Sequence, residues 1–177
     1  MSLNKNTGIL IDRAINELRT GRPIVLEEKG NFWIFYNIEH STKNIINQFK
    51  TIQEKETFLL ITKQKANQLL PIKLNTNIFF QVSSNFNHAK FQDLFLNPAD
   101  KNNILNLKNL NSNKSKSFHN YALELSKNAK LIPSLIFKKI KTKLNNNIDN
   151  ILYDMGLLKF KYSDLVNQNK HISDSIK

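Results

Sequence analysis

The 177-residue chain has no cysteine. That excludes disulfides, thiol nucleophiles and every cysteine-held zinc or iron–sulfur centre. Its four glycines, Gly8, Gly21, Gly30 and Gly156, are too dispersed to form a phosphate-cradling loop. Arginine occurs only at positions 13, 19 and 22. No apolar run approaches the ~18–20 residues that a membrane-spanning helix needs. The opening residues, MSLNKNTG, lack the apolar core of a signal peptide. A cytoplasmic protein is the expectation.

What the chain does have is lysine, asparagine, isoleucine and phenylalanine. The net charge is +12 and the pI about 9.8. Such a balance suggests an anionic partner, nucleic acid or a membrane surface. Two features weigh against it. The positive charge is almost all lysine, whereas nucleic-acid sites favour the planar, bidentate fork of arginine. Lys, Asn, Ile and Phe also share A/T-rich codons, so an A/T-rich genome produces this composition without selection for binding. The codon reading is preferred. With 40% hydrophobic residues the chain can bury a sizeable core, as one domain or one domain with a helical appendage.

Ile11, Ile15 and Leu18 fall at i, i+4 and i+7 and predict a helix from Gly8 or Ile9 to Thr20. Gly21 suits its left-handed end, and Pro23 forbids more helix. Strands are expected at Ile24–Leu26 and Phe32–Tyr36, joined by a hairpin turn over Glu28-Lys29-Gly30-Asn31. Ser41 or Thr42 caps a second helix carrying Ile45, Ile46, Phe49 and Ile52. Thr57–Ile61 reads as a strand buried on both faces, Lys63–Leu70 as a helix capped by Thr62, and Ile78–Val82 as another strand. Phe91, Leu94 and Phe95 fit a short helix before Pro98. Asn111–Lys116, NSNKSK, reads as an exposed loop and a boundary.

Beyond it the pattern predicts an amphipathic helix from about Tyr121 into Pro133, a basic helix over Leu135–Ile140, and a third helix over Asn147–Met155 ended by Gly156. A short strand follows at Leu157–Phe160. The fold class is therefore α/β (α+β), a mixed sheet flanked by helices. The expected organisation is an α/β core over 1–112 and a helical C-terminal segment over 113–177 packed on it, frayed over 168–177.

AINELRTGRPIVL resembles the opening of 3,4-dihydroxy-2-butanone 4-phosphate synthase domains. Glu39, Thr42, Ile46 and Asn47 are similar to that family's "A-E-x-x-T…I-N" helix start. Thr62, Ala66 and Leu69 follow its strand–"T-x-x-x-A-x-x-L" unit. Tyr121–Pro133 is similar to the "A-x-x-L-x-K-x-A-x-L-L-P" helix of a narrower group, the N-terminal, non-catalytic domain of alphaproteobacterial-type GTP cyclohydrolase II. Leu94–Pro98 resembles its "L-A-D-P" turn, with Phe95 and Leu96 departing from it. The resemblance spans residues 9–165. It implies a synthase-like fold, a link to riboflavin biosynthesis, and as partners a second copy of the chain or a separate cyclohydrolase chain.

The family's catalytic pattern is missing. Its acidic "D-x-x-x-R-E-N-E-G-D" loop supplies hard carboxylate oxygens suited to magnesium. Here Glu27-Glu28-Lys29-Gly30-Asn31-Phe32-Trp33 stands in that place, without the arginine and with aromatics for acids. The "G-H-T" motif is absent, as is the "G-x-x-C-R-S-E" zinc element of the cyclohydrolase. Glu27 and Glu28 are adjacent in a strand and point to opposite faces, so a solvated pair is expected rather than a metal site. His40, His88, His119 and His171 share no metal-ligand spacing. Asp12 and Glu17 read as solvated, and Trp33 as core or interface. Lys138, Lys139, Lys141 and Lys143 form the densest basic run, for which a solvated helix face is preferred over an RNA- or membrane-binding one. No catalytic residue, metal ligand or cofactor is expected.

Overall fold

The computed structural model describes residues 3–69, 73–82, 88–96, 112–114 and 116–163. A seven-stranded sheet in the order β5-β4-β3-β6-β2-β1-β7 organises them. Its strands are β1 (Ile24–Glu28), β2 (Asn31–Asn37), β3 (Thr57–Ile61), β4 (Ile78–Val82), β5 (Ser112–Lys114), β6 (Ser134–Lys139) and β7 (Leu158–Lys161). Every neighbouring pair is antiparallel except β1 with β7.

Helices cover both faces. On one, Ala14 and Leu18 of α1 (Leu3–Arg19) and Phe118, Ala122 and Leu125 of α5 (Ser117–Asn128) pack on Leu26, Phe35, Leu60 and Phe137. On the other lie α2 (Lys43–Gln48), α3 (Lys63–Leu69), α4 (His88–Leu96) and α6 (Ile148–Asp154), the last preceded by a 3₁₀ turn over Thr142–Asn147. Ala66, Leu69, Phe95, Ile148 and Leu152 bury there against Val25, Ile34, Leu59 and Ile136. Period-2 alternation in the strands sorts the two sets of side chains. Each large apolar side chain removed from water stabilises the fold by about 1.5–3 kcal/mol.

The local signals at the chain start act as expected. The Arg22 N–H bonds back to the Glu17 carbonyl at 2.9 Å across Gly21, whose φ is +78°. Lys29 and Gly30, at φ 50° and 74°, make a two-residue turn closed by the Glu28–Asn31 pair. That is the twist a tight hairpin requires. Of the two candidate caps, Thr42 is the one used, its Oγ1 accepting from the Ile45 N–H at 3.2 Å. Thr62 caps α3 in the same way.

Four expectations are corrected. Leu135–Ile140 is not a basic helix: Ser134–Lys139 is the central strand of the sheet, hydrogen-bonded to β2 and β3 on its two sides. A short apolar run fits a buried strand as well as a buried helix, and pairing decides between them. The segment after 113 thus supplies β6 and β7 to the same sheet as the residues before 112, and is not all helical. Within Asn111–Lys116, Ser112–Lys114 is an edge strand on β4 and not a loop, a position where polar residues are tolerated. The helix expected to reach Pro133 stops at Asn128, because Lys130 turns left-handed at φ 60°. His171 and the frayed tail at 168–177 lie outside the described residues.

Candidate functional site

The densest polar constellation lies where β2 ends. Asn37, 1% exposed, donates through Nδ2 to Ser126 Oγ at 2.6 Å and to the Ile132 carbonyl at 2.8 Å. Its Oδ1 accepts from the Glu39 N–H at 2.8 Å. Glu39 returns the link: its Oε2 accepts from the Ile132 N–H at 2.7 Å, and its carbonyl accepts from Gln92 Nε2 on α4 at 2.8 Å. His40 Nδ1 lies 2.6 Å from the Arg19 carbonyl. A carbonyl only accepts, so Nδ1 carries the proton. Ser41 Oγ and His88 Nε2 are 2.8 Å apart, and burial pushes the His88 imidazole below its ordinary range.

One short turn therefore fastens α1, α4 and the α5–β6 connection to the sheet. The Glu39 carboxylate is committed to a backbone amide, and Ser41 is fully buried. Buried polar groups in such a network stabilise only while all of them are paired. Glu39→Ala leaves the Ile132 N–H without its acceptor and is expected to cost about 1–3 kcal/mol. Glu39→Gln retains an oxygen there and should lose less. Urea titration of the two variants checks the difference.

The β1–β2 hairpin end, where the resemblance places the acidic loop, is different chemistry. Glu27 Oε2 is 3.4 Å from Lys159 Nζ on β7, and the same ammonium pairs with Asp149. Among the described residues the cation beside Glu28 is Lys29, at 4.0 Å. The two carboxylates thus have separate cations and do not converge. Among the described residues no group of three or more His, Asp or Glu side chains is arranged to hold a metal ion.

Two of the three arginines close helix ends. Arg19 Nε donates to the Ala129 carbonyl at 3.1 Å, at the end of α5. Arg22 donates to the Gly156 carbonyl beyond α6 at 2.8 Å. Its Nε also pairs with Glu17 at 2.7 Å, so Glu17 is an ion-pair partner and not merely solvated. The expected basic helix face does not exist as such. Lys138 Nζ donates to Thr57 Oγ1 at 2.8 Å, and Lys141 Nζ to the Thr51 carbonyl at 2.6 Å. Burial, first, and then Lys50 pull the Lys138 amine down, with Glu56 opposing. Trp33 packs edge-on against Phe58, Phe79 and Phe137 as part of an aromatic cluster.

The sequence reading singled out Glu39 and His40 but not Asn37 or Ser126. An asparagine at a strand end, accepting from the amide two residues on, was the available signal. Ser126 and the Ile132 amide carried none, since they lie about ninety residues away in the chain.

No family model matches the sequence, and no curated protein matches it. Solved structures do. The two-domain 3,4-dihydroxy-2-butanone 4-phosphate synthase RibBX from A. baumannii aligns with a TM-score of 0.64 at 12% identity. The alignment covers 88% of this chain but only 56% of that protein. The Candida albicans synthase aligns at 0.63 and 13% identity, over 89% of this chain and 96% of the other. A synthase in complex with two magnesium ions aligns at 0.65 and 10% identity, over 91% and 96%. The chain shares the synthase fold.

Proposed function

We propose that this chain is a non-catalytic relative of 3,4-dihydroxy-2-butanone 4-phosphate synthase, akin to the N-terminal domain of alphaproteobacterial-type GTP cyclohydrolase II. Its role in this reading is structural, dimerising or regulatory, within riboflavin biosynthesis, with a second copy or a separate cyclohydrolase chain as partner. The observation that carries the reading is the β1–β2 connection. It is a two-residue turn; Glu27 pairs with Lys159, while Glu28, on the opposite face of the strand, lies 4.0 Å from Lys29, so the two carboxylates do not converge. A magnesium-dependent acid–base site needs convergent, unclaimed carboxylate oxygens. The ordered sequence motifs and the shared fold support the lineage; the closed hairpin supports the loss of chemistry.

Two of the four lysines in the run, Lys138 and Lys141, donate to backbone or hydroxyl oxygens of the 51–57 segment, which weighs against the RNA- or membrane-binding alternative. Incubating the purified chain with ribulose 5-phosphate and magnesium is expected to leave the sugar phosphate unconsumed. Turnover above the protein-free blank would overturn the proposal.

A further inference from the structure

His119 is the third residue of α5 and is 2% exposed. Its ring centre lies 3.9 Å from that of Phe79, 4.0 Å from Phe118 and 5.5 Å from Phe137. Its Nδ1 accepts from the backbone N–H of Lys116, the residue just before the helix, at 3.1 Å. A ring nitrogen accepts only through a lone pair, so the neutral imidazole carries its single proton on Nε2. That nitrogen is buried and has no hydrogen-bond partner among the described residues.

A second proton therefore has one place to go, which is Nδ1. There it would meet the Lys116 N–H, donor against donor, and the bond that ties the ring to the helix start is lost. Among the described residues no carboxylate acts on the ring to offset the hydration that the imidazolium would lose. Phe79 from β4 and Phe137 from β6 bring no charge, and the charge acting on the ring is that of Lys116, which is positive. The start of a helix is electropositive as well.

We propose that His119 is a proton-operated latch on the first turn of α5: closed while the ring is neutral, and opened when the ring takes a second proton, which uncovers the aromatic cluster beneath it. The inference is independent of the catalytic status of the chain. Burial, first, and Lys116, second, push the closed-state imidazole down to about 3, against 6.5 for a free ring. The closed state thus holds the proton more weakly than the open state, and acid favours opening. The latch is fully closed above the open-state value and weakens as pH falls from there toward 3. Within that window the opening equilibrium should rise about tenfold per pH unit.

The test is hydrogen exchange of the Lys116–Tyr121 amides in the whole chain, corrected for the intrinsic pH dependence of exchange. In the unsubstituted protein, protection is expected to fall about tenfold per pH unit below pH ~6. His119→Asn places an amide oxygen near the position of Nδ1 and cannot take the proton, so its profile should be flat over the same range. Protection in the unsubstituted protein that does not change with pH, or an equal slope in His119→Asn, would overturn the latch. Should the Asn variant not fold, NMR of the ring nitrogens decides. A neutral Nε2–H ring that persists while α5 is protected supports the latch. An ordinary titration near 6.5 with those amides still protected overturns it.

Discussion

Gly21→Ala is expected to lower the unfolding free energy by about 2–4 kcal/mol, a large share of a domain's margin. Two terms combine. Gly21 sits at φ +78°, where a Cβ costs about 1 kcal/mol or more. A Cβ built there would also lie 2.4 Å from the His40 carbonyl oxygen. That atom is backbone, so the turn carrying Glu39, His40 and Ser41 must move, and the Asn37–Glu39–Ile132 network moves with it. Gly30→Ala is the control: φ is +74°, yet nothing lies within 4 Å of the added carbon. It should lose only about 1 kcal/mol, the conformational term alone. Urea midpoints with unchanged slopes measure both. Equal losses would mean that the close approach to His40 contributes nothing.

Phe137→Ala is expected to cost about 3–5 kcal/mol. Phe137 is fully buried in the central strand. Its ring stacks on Phe35 at 5.1 Å and meets Phe79 edge-on at 5.7 Å. Truncation would leave a cavity between rings that are held from two different strands, Phe35 on β2 and Phe79 on β4, and cannot collapse together. Phe137→Leu keeps most of the volume and should lose less than half as much. Thermal unfolding of the pair, with near-ultraviolet circular dichroism as a monitor of ring packing, gives the comparison. A similar loss for both variants would place the penalty in ring stacking and not in the cavity.

The legible parts of the fold were those whose cause is local. Gly21 and Pro23 end a helix because of backbone geometry that neighbouring residues cannot change. Lys29-Gly30 makes a tight turn, and Thr42 and Thr62 cap helices, for the same reason. Thr57–Ile61 was legible because its apolar run is bounded by a cap. Leu135–Ile140 was not. Its apolar run carries two lysines, which suits an amphipathic helix seen alone. Only the open edges of β2 and β3 make it a strand. Ser112–Lys114 failed likewise: three polar residues have no pattern until β4 offers an edge.

The site divides along the same line. The absence of cysteine, the missing acidic loop and the single hairpin turn are properties of the chain itself, and they determined which chemistry could not be expected. The commitment of Glu39 to Ile132, of Glu27 to Lys159 and of His119 to the start of α5 was decided by the tertiary structure. The physical reason is common to all three. A charge or lone pair is defined by what lies within about 3 Å of it, and for Glu39 and Glu27 those partners arrive from more than ninety residues away. His119 has its partner close in sequence, but the burial that governs its proton comes from β4 and β6.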